Sequence, residues 1–212
     1  VIALATQIAT DDAAAPQPER SLSHRAARLV TEALAPVVIV TSMLLVVGWH
    51  AYGSSIGVAW GFAAALFAGI VPFAFIVRGV RGGKLTDRHI GQREQRRVPL
   101  LVGLGCIAVG LVAFVLLGVN RELLAALGAC GLGLLISLAV NHWWKMSIHT
   151  GTVAGAVMIA TETFGELVLL ALPLIVLVAW SRVKLRDHSL AQTVVGGVVG
   201  AVVAGVAFAA LR

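Results

Sequence analysis

The chain has 212 residues, 59% of them hydrophobic and 12% charged, with a mean hydropathy of +0.95. Soluble domains carry only about 45–50% apolar residues, so a water-soluble globular protein is excluded and an integral membrane protein is expected. The formal charge of +6 and pI near 10.4 suggest an anionic partner. No soluble domain, finger pattern or aromatic-interleaved basic strand is present to bind nucleic acid, so phosphate in another form is the better match. Cys106 and Cys130 lie inside apolar runs with no Cys-x-x-Cys or Cys/His spacing, and read as small packing residues.

Val1 to Arg20, with its Ala, Pro, Gln and two Asp residues, reads as a flexible tail. Ser21 to Glu32 reads as an interfacial helix leading in, so residues 1–31 precede a single membrane domain over 32–212. Leu34 to Tyr52 and Ile56 to Val77 are two spans joined by a tight turn at Gly53, Ser54 and Ser55. Arg78 to Arg97 is a polar loop and the densest run of Lys and Arg in the chain. Val98 to Gly118 and Leu123 to Val140 follow as spans, both rich in Gly, Ala and Leu, as closely packed membrane helices are. Asn141 to His149 interrupts the apolar pattern with histidines, tryptophans and Lys145, a membrane-interface composition. Thr150 to Trp180 as one helix would be about 46 Å long, against a bilayer core of about 30 Å. The polar cluster Thr161, Glu162, Thr163 and Glu166 therefore predicts two helices, and Glu162 and Glu166 cap the turn between them. Leu190 to Leu211 is the last span. The fold class expected is all-α, a polytopic transmembrane bundle of about six to seven spans.

Seven spans put every Lys and Arg on one side of the membrane except Arg121 and Arg212, out of sixteen. The positive-inside rule makes that side cytoplasmic, and the cell membrane is the expected location. Three charged loops then meet at one surface, bringing His89, His149 and His188 together with Arg88, Arg93, Arg96, Arg97, Lys145, Arg182 and Arg186. Fixed cations stabilise the equatorial oxygens of a transferring phosphoryl group. One imidazole can attack phosphorus while a second protonates the leaving oxygen, and this chemistry calls for no cofactor or metal. His188 and Gln192, four residues apart, would share a face if both were helical. Asp187 on the same helix would point away from His188.

Ser181-Arg182, five residues, then His188 resembles the third motif, Ser-Arg-x5-His-x3-Asp, of the type 2 phosphatidic acid phosphatase superfamily. These are lipid phosphatases related to vanadium haloperoxidases. Gln192 stands where that motif has Asp. The family's Pro-Ser-Gly-His is similar to Met146-Ser147-Ile148-His149, and of its Lys-x6-Arg-Pro only Arg96 survives, with His89 at the Lys and Arg97 at the Pro. The resemblance runs from about Arg88 to the C-terminus and implies a phosphatase-type helical core. It implies that His188 is a nucleophile forming a phosphohistidine, that His149 protonates the leaving alkoxide, and that Arg182 and Arg96 bind phosphate oxygens. Ser147 and the free N–H groups at the start of its helix would add donors, and Lys145 stands near enough in sequence to replace the missing lysine. Gln192 in the Asp position can fix the tautomer of His188 but brings no charge.

The expected function is hydrolysis of a lipid phosphate or diphosphate, polyprenyl or phospholipid, in contact with membrane lipids. The alternative is a non-catalytic lipid-phosphate binding protein or transporter. A prenyltransferase or CDP-alcohol transferase would need clustered aspartates for Mg²⁺, and only Asp11, Asp12, Asp87 and Asp187 are present.

Overall fold

The computed structural model describes residues 21–212, and in them the chain is helical with no strand. The expected tail over Val1 to Arg20 lies outside the described residues. Helices α1 (Leu22–Ala33) and α2 (Pro36–Tyr52) meet at a 42° bend, where Pro36 takes the first position of the second helix, one that needs no N–H donor. Helices α3 (Ser55–Ala65) and α4 (Val71–Arg81) run on from each other through a π-helical turn, Leu66–Ile70, as one rod. They are followed by α5 (Arg97–Leu116), α6 (Arg121–Trp143), α7 (Ile148–Phe164), α8 (Pro173–Lys184) and α9 (Leu190–Leu211).

Five stretches, 55–81, 94–116, 121–143, 166–184 and 190–211, are each long and apolar enough to cross a bilayer, and the bent pair α1–α2 makes a sixth. They mark an integral membrane protein. Their outward side chains, among them Val112, Val115, Leu167, Leu170 and Val202, are more than half exposed, as a surface solvated by lipid allows. By length and apolarity these make five or six of the expected six to seven spans. The remaining candidate, α7, has 17 residues, at the lower end of the about 17–25 that cross a bilayer core. It runs from His149 beside the charged loops to Phe164 against His50 at the far end, and it packs most extensively against α9. The break expected inside Thr150 to Trp180 is present: α7 stops at Phe164, and Gly165, with φ 93°, takes a backbone conformation that a side chain would strain.

The two ends of the bundle differ. Away from the charged loops lies a close-packed core of Leu44, Val47, Phe114, Leu123, Leu127 and Phe208, with Trp60 set edge-on to Phe114. That end is tied by polar contacts. Asn120 donates to the Ala51 carbonyl, His50 meets Glu122 at 3.0 Å, and Arg212 meets Glu162 at 3.3 Å. Glu162 therefore lies opposite the charged loops, as expected, but as an ion-pair partner of the C-terminal residue. The seam between α7 and α9 runs back toward the charged end. A Cβ on Gly200 would overlap the carbonyl oxygen of Gly151, so these two backbones approach in a way only glycine permits.

Candidate functional site

At the charged end, local backbone chemistry places each side chain. The last turn of α8 holds Ser181 and Arg182, both buried. Ser181 donates to the Val178 carbonyl and lies 3.1 Å from the Thr31 hydroxyl, which docks α1 on α8. The helix then closes in a Schellman turn: Arg186 N–H donates to the Val183 carbonyl and Asp187 N–H to the Arg182 carbonyl, with Arg186 at φ 58°. The His188 N–H also reaches the Arg182 carbonyl, at 3.3 Å. That turn is why a five-residue spacing brings His188 back beside Arg182.

His188 stands one residue before the N-cap of α9. Ser189 and Gln192 form a capping box there, so the expectation that His188 and Gln192 share a helical face is corrected. The two still touch, because the capping geometry folds Gln192 back over the helix start. Gln192 Oε1 accepts from the Ser189 N–H at 3.2 Å and lies 3.0 Å from His188 Nδ1. The Ser189 N–H identifies that atom as the amide oxygen, so His188 Nδ1 is the donor and Nε2 carries the lone pair. Arg96 Nη2 faces that lone pair at 3.3 Å. Burial, with the charges of Arg96, Lys145 and Arg182 adding to it, pushes the His188 pKa down to about 3, so the imidazole is neutral at physiological pH.

Arg96 is 3% exposed. Its Nε donates to the Ile90 carbonyl and its Nη1 to the Met146 carbonyl, both at 2.9 Å. Ile90 is β-branched yet sits at φ 50°, a strained conformation of the kind that collects at functional sites. Arg182 is 1% exposed; its Nη2 pairs with Asp187 Oδ2 at 3.1 Å, whereas its Nε and Nη1 are buried with no acceptor. His149, in the first turn of α7, likewise has a buried Nε2 with no partner. Buried polar groups are nearly always satisfied, so two unpaired guanidinium donors, with an unpaired imidazole nitrogen in the same cluster, point to an acceptor supplied from outside the chain.

The other expected site residues divide. Lys145 Nζ donates to the Asp187 carbonyl at 2.6 Å, so it stands in the cluster; burial, then Arg96, lowers its pKa below the usual lysine range. His89 lies with its ring 5.2 Å from that of His149 and its Nε2 3.1 Å from Glu32 Oε1. Ser147 is buried and ties two helix starts together. It caps α7 by accepting from the Thr150 N–H, and its own N–H donates to the Gln192 carbonyl at 3.1 Å, locking the starts of α7 and α9 together. Asp187, dismissed as a partner for His188, turns to Arg182 instead. Glu32, on the lead-in helix, was not foreseen: it binds Arg88 at 2.7 Å as well as His89. Its sequence signal was its place as the acid on α1 facing a loop of cations.

Among the described residues no three His, Cys, Asp or Glu side chains are grouped to hold a metal ion. Arg96, Arg182, Lys145 and the two histidines can bind a tetrahedral anion and exchange protons with it. Comparison with known proteins returned no matching family model, no matching curated protein and no matching solved structure.

Proposed function

We propose that the chain is a metal-independent phosphohydrolase acting on a lipid phosphate or diphosphate, as its resemblance to the type 2 phosphatidic acid phosphatase superfamily implies. The observation that carries the reading is the buried Arg182 guanidinium, with Nε and Nη1 unpaired beside His149 Nε2 and the neutral His188. A phosphoryl group supplies the acceptors these donors lack.

In the proposed reaction the phosphate displaces Arg96 Nη2 from His188 and takes its hydrogen bonds. The His188 Nε2 lone pair attacks phosphorus, an N–P bond forms, and the P–O bond to the lipid breaks. Burial and then the Arg182 charge hold the His149 pKa well below the ordinary histidine value. His149 therefore takes up its proton only with the negative charge of the bound phosphate beside it, and as imidazolium it gives that proton to the departing oxygen. Water then attacks the phosphohistidine, His149 takes a proton from it, and phosphate leaves with His188 restored. Arg182 and Arg96 hold the equatorial oxygens throughout, where such donors are worth about 10²–10³ in rate each.

The charged face is assigned to the cytoplasm and the protein to the cell membrane, on the distribution of Lys and Arg. Phosphate release from a lipid phosphate in EDTA tests the reaction, with His188→Ala expected to abolish it; full activity in that variant refutes the mechanism. A second reading, binding without turnover, is favoured by the uncharged Gln192, which offers no carboxylate to the imidazolium side of the cycle. Radiolabel from substrate trapped on His188 supports hydrolysis, and tight binding without label supports the carrier.

A further inference from the structure

Below the polar cluster the bundle holds a half-open apolar cavity of about 250 Å³. His89, Arg96 and His149 stand at its charged end, and Met43, Ile107 and Ile159 line it far down the helices. From the start of α5 to Ile107, and from His149 to Ile159 along α7, the helical rise makes the cavity about 15 Å deep. Its wall includes Ala68 and Gly69 of the π-helical turn, a distortion often found at functional sites. A buried His149 nitrogen without a partner and the Arg96 guanidinium at one end, with apolar side chains at the other, match one anionic head and a hydrocarbon tail. The volume lies just below the range of about 300–1,000 Å³ for small-molecule sites, room for a segment of one chain and not for two side by side.

Gly133 of α6 lines this cavity, and a Cβ built on it meets nothing within 4 Å. Gly103, on the facing wall, differs: a Cβ there would come within 2.9 Å of Leu134. Gly133 is thus a position where side-chain bulk enters the cavity without first displacing a neighbour.

We propose that this chamber takes the tail of a single-chain lipid phosphate, head upward at Arg96 and His149, and that the absent side chain of Gly133 sets the length of tail it accepts. The inference rests on the phosphate-site reading for its head group and on the cavity for its tail. A second acyl chain would have to remain outside, among the membrane lipids.

The test uses purified full-length protein in detergent and n-alkyl phosphonates of increasing length, each below its micelle concentration, with binding followed by calorimetry. Affinity is expected to rise about fourfold per methylene until the chamber is full and then level off. Gly133→Leu moves the plateau to a shorter chain, and Gly133→Ala moves it less in the same direction. An identical chain-length curve in all three proteins overturns the chamber. So does a gain from the second chain of a dialkyl phosphate equal to that from the first. Methylphosphonate, which has no tail, reports the head site alone. If it binds and Arg182→Gln abolishes that binding while the chain-length curves coincide, the chamber falls and the phosphate site stands. If alkyltrimethylammonium ions show the same Gly133-dependent plateau as the phosphonates, the chamber stands and the phosphate reading falls.

Discussion

Gln192→Glu tests the geometry around His188 at the one position where the chain departs from the resembling motif. The substitution keeps length and shape, so the new carboxylate occupies the place of an amide oxygen that lies 3.0 Å from His188 Nδ1. Opposite charges about 4 Å apart interact by about 4 kcal/mol at the effective dielectric constant of about 20 that suits such sites, which equals about three pKa units. His188 starts at about 3, so it should rise to about 6. The sign also governs stability. In the wild type the unfolded chain takes up a proton near the ordinary histidine value while the folded chain does not, so stability falls as pH drops from about 6.5 toward 3. In the Glu variant that window narrows to less than a unit, and the acid sensitivity due to His188 largely disappears. Nitrogen-15 NMR of labelled histidine, titrated from pH 3 to pH 8, reads the pKa directly, with His188→Gln assigning the resonance. If His188 titrates at the same pH in both proteins, the Gln192 side chain does not face Nδ1 and the tautomer assignment fails.

Arg182→Lys replaces a planar fork by a point charge and should weaken competition by inorganic phosphate or vanadate about 30-fold or more, corresponding to about 2 kcal/mol; an unchanged inhibition constant would place the anion elsewhere. Gly200→Ala pushes a methyl into the Gly151 carbonyl and should destabilise by about 1–3 kcal/mol, read as a lower thermal midpoint in detergent, whereas Gly133→Ala should raise the midpoint through helix propensity. Glu32→Gln breaks contacts to Arg88 and His89 whose side chains are 55% and 22% exposed, so its midpoint should shift little, by the equivalent of about 1 kcal/mol or less. Trp143→Cys, at a position 75% exposed at the charged end, should react with a membrane-impermeant maleimide only after cells are opened; labelling of intact cells contradicts the cytoplasmic assignment.

The helices and their breaks were legible in the sequence because hydrophobic length and chain punctuation are local properties. Apolar runs of about 20 residues, the turn before Ser55, and the polar interruption that stops α7 near Gly165 can be read without knowing what packs against them. The spacing from Arg182 to His188 was legible too, although its cause was not: it is a helix-closing turn with Arg186 in a left-handed conformation. Sequence periodicity misplaced His188 on a helix, since a capping box brings Gln192 to it as effectively as a shared face does. The capping role of Ser147 was not legible for a related reason, because a hydroxyl at a helix start can cap the backbone as readily as it can meet a ligand.

Chain order alone determined that this is an all-α membrane protein with its cations gathered toward one face. Tertiary structure decided which of those cations are buried and which keep donors free. Arg88 and Arg93 bind Glu32 and the His142 carbonyl, while among the described residues Arg182 alone keeps two buried nitrogens unpaired. It also decided that Asp187 serves Arg182 and that a hollow lies beneath the charges. Burial and unpaired donors depend on residues far apart in sequence, such as Thr31 with Ser181 and Arg96 with His188, and no local pattern encodes where separate helices meet.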